Sequence, residues 1–281
     1  MTYQEVYRSV LEELKKQNIA DASSDAWILL EHITGMDRTR YYADGEKEMP
    51  AEEAGRFLEL AKKRASRVPV QHLTGVQNFM GLEFAVNEAV LVPRQETEIL
   101  VEEVLRTVKP GMRVLDLCTG SGCIAVSLKV RCPDITVTAS DISEEALRIA
   151  GKNARALGAD VAFFQSDMFG QMEGKFDVIV SNPPYIPTRV IEELDEEVRL
   201  HDPVSALDGG EDGLYFYRIL SKEAPRYLAD GGRIYLEIGH DQGSAVHVLL
   251  AREGFREIRI QKDLAGLDRV ISGVYNRHNK N

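Results

Sequence analysis

The chain has 281 residues, 44% of them hydrophobic and 28% charged, with a formal net charge of −11. That length gives room for one large domain or for a medium and a small one, and no apolar run approaches the roughly 20 residues that span a bilayer. The acidic balance counts against a protein whose main task is gripping nucleic-acid phosphates, which calls for a basic face. A small-molecule or protein substrate fits better. Cys118, Cys123 and Cys132 form an odd, sparse set without metal-ligand spacing, so neither a disulfide framework nor a zinc or other metal site is expected.

Residues 1–66 read as helices. Val6, Val10, Leu11 and Leu14 recur at helical spacing, as do Ala26, Leu29, Leu30 and Ile33, then Ala54, Phe57, Leu58 and Ala61. Asp21 to Ser24 offer N-caps for the second helix and Gly35 a C-cap. The run after Pro50, AEEAGRFLELAKKRASR, begins with acids and ends with bases, matching the helix dipole. The N-terminus is an amphipathic charged helix and not a secretory signal, so a cytoplasmic location is expected. This small module serves either as a structural cap or as a docking surface for a partner.

Residues 67–95 change character. Gln77–Met80 and Leu82–Val86 flank Gly81 as a β-hairpin, and an extended stretch ends at Pro93; this is read as the linker between domains. From 96 to 281 strands alternate with helices. ETEILVEEVLRTV is a helix, MRVLDLCTG a strand and turn, CIAVSLKVR a helix, TVTASDI a strand and SEEALRIAGKNARALG a helix. VAFFQSD and FDVIVSN are strands, then LYFYRILSKEAPRYL (helix), GRIYLEIG (strand), QGSAVHVLLAREGF (helix), REIRIQKD and DRVISGVY (strands). The fold class is therefore α/β: a doubly wound, mostly parallel sheet with an antiparallel edge hairpin, preceded by the helical domain and its hairpin linker.

VLDLCTGSGCIAV follows a strand and opens a helix. Gly120 and Gly122 let the backbone turn tightly and approach a ligand, and the helix N-terminus offers free N–H groups. Asp141 lies roughly twenty residues beyond the loop at the next strand end, where ribose hydroxyls are gripped. There is no third glycine at dinucleotide spacing and no P-loop lysine. Asp116, just before the loop, disfavours a phosphate and favours a cationic ligand such as S-adenosylmethionine; otherwise it ties the loop's own N–H groups together. In SDMF, Asp167 can accept from an adenine amino group and Met168 can pack beside the ring, although Met168 alone is more simply core filling.

FDVIVSNPPYIP is the second feature. Its strand ends on the rim that carries the glycine loop, because ligand crevices lie at strand carboxyl ends, so Asn182 is expected to face the cofactor's methyl group and to contribute to cofactor binding as well. Pro183 and Pro184 fix φ, remove donors and keep the residues before them extended. The Asn182 oxygen and a nearby backbone carbonyl can hold both hydrogens of a planar –NH₂ group, and Tyr185 can stack on its π-system. Such a nitrogen is a poor nucleophile; holding both N–H bonds aims it at a methyl carbon, within the ~7–11 kcal/mol that orientation can supply, and stabilises charge developing on it.

Asp-Leu-Cys-Thr-Gly-Ser-Gly, Asp141 and Ser-Asn-Pro-Pro-Tyr together resemble the class I S-adenosylmethionine-dependent N-methyltransferases, whether their substrates are adenine, guanine or glutamine. The segment at 71–102, QHLTGVQNFMGLEFAVNEAVLVPRQETEILVE, and the later KDLAGLDRVISG are similar to the release-factor glutamine methyltransferases, the HemK-like or PrmC family. That resemblance implies methyl transfer to N5 of the glutamine in the Gly-Gly-Gln motif of peptide-chain release factors, with S-adenosylhomocysteine as the second product. It implies that the helical module helps dock the release factor. It implies that Cys118, Thr119, Gly120, Ser121 and Gly122 line the cofactor loop, that Asp141 takes the ribose, and that Asn182, Pro183, Pro184 and Tyr185 hold the glutamine. Arg94 and Glu98 fall in the Pro-Arg-x-x-Thr-Glu stretch at the active-site mouth, where structural ion pairing is the alternative. Two positions depart from the pattern: Cys118 stands where relatives commonly have glycine, and Met168 where many have tryptophan.

Two rivals stay open. An N6-adenine DNA or RNA methyltransferase shares Asn-Pro-Pro-Tyr, but would need a basic, aromatic region to flip a base; the insert TRVIEELDEEVRLHDPVSALDGGEDG is acidic. A non-catalytic adaptor for release factors or ribosomes would not need both an intact loop and an intact clamp. Neither direct nucleic-acid contact nor a membrane is expected, and the chain is expected to be a monomer.

Overall fold

Val-, Ile- and Leu-rich segments pair into a seven-stranded sheet in the computed structural model, which describes residues 1–277. The strands in chain order are β1 (Val76–Phe79), β2 (Leu82–Ala85), β3 (Arg113–Leu117), β4 (Thr136–Asp141), β5 (Val161–Gln165), β6 (Phe176–Ser181), β7 (Leu228–Glu237), β8 (Phe255–Lys262) and β9 (Asp268–Tyr275). β1 and β2 form a separate two-stranded hairpin; the large sheet runs β5-β4-β3-β6-β7-β9-β8. Pairing is parallel from β5 through β7, and β9 and β8 close the edge antiparallel. The expected doubly wound sheet with its edge hairpin is the observed one.

Side-chain alternation along the strands builds two apolar layers. Val114, Val178, Val180 and Tyr235 face the helices Gln95–Leu105 and Cys123–Arg131. Leu115, Leu117, Ile179, Ile234 and Leu236 face the helices Tyr215–Tyr227 and Gly243–Arg252. Strands covered on both faces read as near-continuous hydrophobic runs, which is why the β6 segment carries little polarity. The chain moves outward from β3 to β5, then returns to β6 on the other side of β3. The order therefore reverses between β3 and β6, and a crevice is expected at their carboxyl ends.

A second compact unit comprises Met1–Val76 together with Asp195–His201. Its helices are Tyr3–Lys16, Ala22–Thr34, Arg38–Asp44, Ala51–Ala65, Val70–Thr74 and Glu196–His201. Val6, Val10, Leu14, Ala26, Leu29, Leu30, Phe57 and Ala61 form its core, the positions that helical spacing picks out. Thr2 and Glu5 form a reciprocal capping box at the first helix, and Gly35, at φ +62°, ends the second. Asp21 occupies the N-cap position of the second helix without a side-chain capping bond. The helix Val70–Thr74 lies inside the stretch read as linker; Pro69 starts it and Gly75 stops it in the left-handed conformation. The hairpin's Phe79 and Phe84 meet edge-to-face and are buried in the core of the sheet unit. No helix among the described residues is long and apolar enough to cross a membrane.

Candidate active site

Strand register fixes the site. Leu117 of β3 pairs with Ser140 of β4 and with Ser181 of β6, so Cys118, Asp141 and Asn182 follow side by side on one carboxyl edge. The Ser181 hydroxyl donates to the Leu117 carbonyl at 2.7 Å, and the Thr119 N–H donates to the Ser140 carbonyl at 3.0 Å. The glycine loop and the Asn-Pro corner thus leave the sheet from hydrogen-bonded neighbours.

Within the loop, Cys118 has φ +59°, Gly120 +54° and Gly122 +80°. A Cβ on Gly120 would meet no atom within 4 Å, so the backbone there is open to a guest, whereas one on Gly122 would sit 3.0 Å from the Ala150 Cβ. Asp141 holds the loop: its Oδ2 accepts from Gly120 N–H and its Oδ1 from Ser143 N–H, both at 2.9 Å. Thr119 donates its hydroxyl to Asp116 Oδ2 at 2.6 Å, and the carbonyl of buried Ser121 accepts from Asn153 Nδ2 at 2.9 Å. Asp116 is wholly buried. Burial pushes its carboxyl up to about 7, with a smaller push from Asp141, against the pull of hydrogen bonds from Thr119 and the Ala125 N–H. Its partners are Thr119 of the loop and Ala125 of the helix that follows it. Exposed Asp167 lines an open cavity of about 690 Å³ with Ile142, Phe164 and Ser166. Met168 is buried at φ +49°, with the Cys118 thiol donating to its sulfur at 3.8 Å.

At the Asn-Pro corner both prolines are buried. The Asn182 Nδ2 donates to the hydroxyl of Thr97 at 3.3 Å, and Thr97 is 2% exposed on the helix Gln95–Leu105. The donor side of the amide is thereby occupied. Gln242 Nε2 donates to the Tyr185 carbonyl at 2.9 Å and to that of Gly213 at 3.2 Å. The Ile186 N–H donates to the Leu207 carbonyl at 3.0 Å, and the Gly209 N–H to the Ile186 carbonyl at 2.8 Å. Burial, reinforced by Glu237, pushes the Tyr185 hydroxyl up to about 12, so it stays protonated. Glu237 itself ends β7 at 2% exposure; burial pushes its carboxyl up to about 7.

The Asp-Gly-Gly-Glu-Asp-Gly turn supports Tyr185 at close range. A Cβ on Gly209 would come within 2.7 Å of the Tyr185 Cα, and one on Gly213, at φ +73°, would clash with the Tyr185 carbonyl. Gly213→Ala is expected to displace the corner and lower kcat by about 10²-fold, the cost of an ångström-scale misplacement. Steady-state kinetics beside an unchanged circular-dichroism spectrum checks this; wild-type kcat would show that the turn does not set the corner.

Arg94 and Glu98 have structural partners. Arg94 precedes the helix Gln95–Leu105 and pairs with Asp202 at 2.6 Å. Glu98 Oε1 accepts from the Met80 N–H at 2.5 Å, pinning the turn of the β1–β2 hairpin. Neither bond is with Asn182.

Residues 5–75 match the family model described as PrmC N-terminal domain, and residues 94–197 match that of the methyltransferase small domain. Over 261 residues the chain is 41% identical to the release factor glutamine methyltransferase of Geobacter sulfurreducens, covering 92% of each chain. It is 44% identical over 261 residues to the Neisseria gonorrhoeae protein of the same name, covering 91% of this chain and 94% of that one. The chain belongs to the release factor glutamine methyltransferase family. In fold alone it is also similar to a Pyrococcus furiosus methyltransferase, with a TM-score of 0.57 at 19% identity, over 76% of this chain and 99% of that one.

Cys118 lies in the left-handed region, where an L side chain is uncomfortable, so its backbone would suit the glycine that the resemblance leads one to expect there. Sequence reasoning missed Thr97, Glu237, Gln242 and the supporting glycines. Thr97 was visible in Pro-Arg-x-x-Thr-Glu, and Glu237 as the acid that follows the apolar run Ile234–Tyr235–Leu236. Gly209, Gly210 and Gly213 stood inside an insert read only for its charge.

Proposed function

We propose that this chain transfers the methyl group of S-adenosylmethionine to the side-chain amide nitrogen, N5, of the glutamine in the Gly-Gly-Gln motif of peptide-chain release factors. The observation that carries the reading is the register of β3, β4 and β6, which sets Asn182 beside a glycine loop whose backbone is held by Asp141. The loop suits a cationic, phosphate-free cofactor: Gly120 is open, Asp141 holds its N–H, and no lysine or arginine lies between Asp116 and Gly122. Cys118 to Gly122 would hold the methionine part, Asp141 the ribose, and Asp167 with Met168 the adenine, with Asp116 bracing the loop from beneath. When bound, the cofactor supplies an electrophilic methyl carbon and its leaving group.

The chain's own residues present the nucleophile. The Asn182 oxygen and the Pro183 carbonyl accept the two N–H bonds of the glutamine amide, and Tyr185 packs against its plane. An amide lone pair is delocalised; fixing both N–H bonds favours pyramidalisation toward the methyl carbon, and the acceptors stabilise positive charge appearing on nitrogen. The nitrogen then gives up one proton to solvent, and the neutral N-methyl amide remains. Residues 1–66 dock the release factor, 67–95 link, and 96–281 carry the chemistry, in a cytoplasmic monomer. Arg94 and Glu98 shape the mouth through their ion pair and hairpin bond.

The test is tritiated S-adenosylmethionine offered with a release factor, its Gly-Gly-Gln→Gly-Gly-Ala variant, or an adenine-containing oligonucleotide. Label on the wild-type factor alone is expected. Label on the oligonucleotide favours a base methyltransferase, and none anywhere favours an adaptor. Asp141→Ala should weaken S-adenosylhomocysteine binding roughly 10- to 100-fold, the ~1.5–3 kcal/mol of charge-assisted hydrogen bonds. Titration calorimetry reads this, and unchanged affinity would contradict the ribose assignment.

A further inference from the structure

A buried carboxyl stands behind the Asn-Pro corner without a part in the chemistry so far. Glu237 is 2% exposed at the end of β7, and the side chains of Thr97 and Asn182 both hydrogen-bond with its carboxyl. Its backbone carbonyl accepts from the Tyr217 hydroxyl at 2.8 Å, and its Oε2 has no partner among the described residues. Buried carboxyls without a full set of partners are costly and call for an explanation.

We propose that Glu237 is a positioning residue: as a carboxylate it accepts from the Thr97 hydroxyl and from the Asn182 amide, and the two bonds acting together, one direct and one through Thr97, dictate which way the Asn182 amide points. The inference rests on the reading of Asn182 as the holder of the substrate amide. Its logic is a proton count. A carboxylate only accepts, whereas a threonine hydroxyl has one proton to give and lone pairs to receive. If Thr97 gives its proton to Glu237, it can only accept from Asn182. Asn182 must then turn its Nδ2 toward Thr97, as observed at 3.3 Å, and its oxygen faces the rim. With an uncharged group at 237, Thr97 is free to donate to the Asn182 oxygen. The amide can then turn over and present –NH₂ to an incoming –NH₂, donor against donor. The two orientations have the same shape, so only the hydrogen-bond network separates them.

The groups around Glu237 set when it is charged. Burial is the largest influence and pushes the carboxyl up to about 7. Thr97, Arg269 from β9 and Asn182 favour the charged form, and Glu96 opposes it. Arg269 is itself paired with Asp263 at 3.0 Å, and the Tyr185 hydroxyl and Cys123 thiol, both pushed upward by burial, stay neutral nearby. The sign follows: below about pH 7 Glu237 holds its proton and the amide is released, and above it the amide is fixed. The rate should therefore climb through neutrality and level off on the alkaline side.

The experiment measures kcat, KM and their pH dependence for the full chain with full-length release factor, for the wild type, Glu237→Gln, Thr97→Val and Thr97→Ser. Glu237→Gln and Thr97→Val should each lower kcat about 10- to 100-fold by misorienting the substrate amide, flatten the climb near neutrality, and leave S-adenosylhomocysteine affinity by calorimetry unchanged. Thr97→Ser keeps the hydroxyl and should restore both rate and pH profile. The double variant should be no slower than the slower single, because both break one relay. Thr97→Val replaces a hydroxyl by a methyl of like shape, so it keeps the test standing if Glu237→Gln fails to fold. Wild-type kcat and pH profile in Thr97→Val, or losses that multiply in the double variant, would overturn the proposal. Asn182→Ala separates this from the underlying reading. If it keeps the rate, the amide clamp itself is wrong; if it is inactive while Thr97→Val is normal, only the relay is wrong.

Discussion

Asn182→Ala is expected to lower kcat by about 10²–10³-fold, the loss seen when one preorganised hydrogen-bond partner is removed from a developing charge. Cofactor affinity should hardly change. Asp141, tied to the Gly120 N–H, forms a separate part of the rim, and the Ser181–Leu117 bond that keeps β6 and β3 in register uses no Asn182 atom. The lost group is a single acceptor, aimed outward because its amide partner is engaged by Thr97. Pro183, Pro184 and the Gln242 bond to the Tyr185 carbonyl leave the corner's backbone in place, so the rest of the clamp survives the truncation. Steady-state kinetics with release factor, paired with calorimetry on S-adenosylhomocysteine, reads both halves. Unchanged kcat would remove the chemical role of the corner; a parallel fall in cofactor affinity would make Asn182 a cofactor ligand instead.

Arg64→Ala should destabilise the helical unit by about 3–5 kcal/mol, the cost of leaving a buried charge without its partner. Arg64 is 5% exposed. Its Nε meets Asp25 at 2.6 Å, its Nη2 meets Glu197 at 2.7 Å, and its Nη1 donates to the Val68 carbonyl at 3.3 Å. The Asp25 carboxyl nevertheless sits above its ordinary range, because burial outweighs the hydrogen bond and attraction from Arg64. The pair therefore does not fully offset its own desolvation. Replacing both partners together, Asp25→Leu with Arg64→Met, should then cost far less than Arg64→Ala and approach neutrality. Glu197, whose side chain is one-third exposed, can turn to water. Urea denaturation of the three proteins distinguishes these outcomes. A cost below about 1 kcal/mol for Arg64→Ala, typical of an exposed pair, would show that the network does not hold the unit together.

What the sequence made legible follows periodicity and strand–turn grammar. Val6, Val10 and Leu14 on one helix face, and the uniform apolarity of the β3 and β6 segments, are local patterns that burial later fills. The glycine loop and Asn-Pro-Pro-Tyr are contiguous, so their neighbourhood follows from the doubly wound topology. The pairs that finish the site are not contiguous. Thr97 and Asn182 are 85 residues apart in the chain, and Arg64 and Glu197 are 133 apart; no period links them. The Glu196–His201 helix was hidden by charge, since an acidic run reads as a solvated face until one of its acids meets a buried arginine. The Gly209–Gly213 turn was hidden the same way, because the tight contacts at Tyr185 depend on a Cβ being absent and hydropathy does not register an absence. Cys118 and Met168 differ again. Their departures from the family pattern were visible, but the left-handed backbone that gives them meaning is a property of the folded loop.

The most direct test of the central claim is a crystal structure of the chain with S-adenosylhomocysteine and a Gly-Gly-Gln peptide. The glutamine amide nitrogen should lie about 2.7–3.2 Å from both the Asn182 oxygen and the Pro183 carbonyl, with its free face toward the sulfur and the Asn182 Nδ2 still on Thr97. A glutamine held elsewhere, or an Asn182 oxygen turned onto Thr97 with peptide bound, would contradict it.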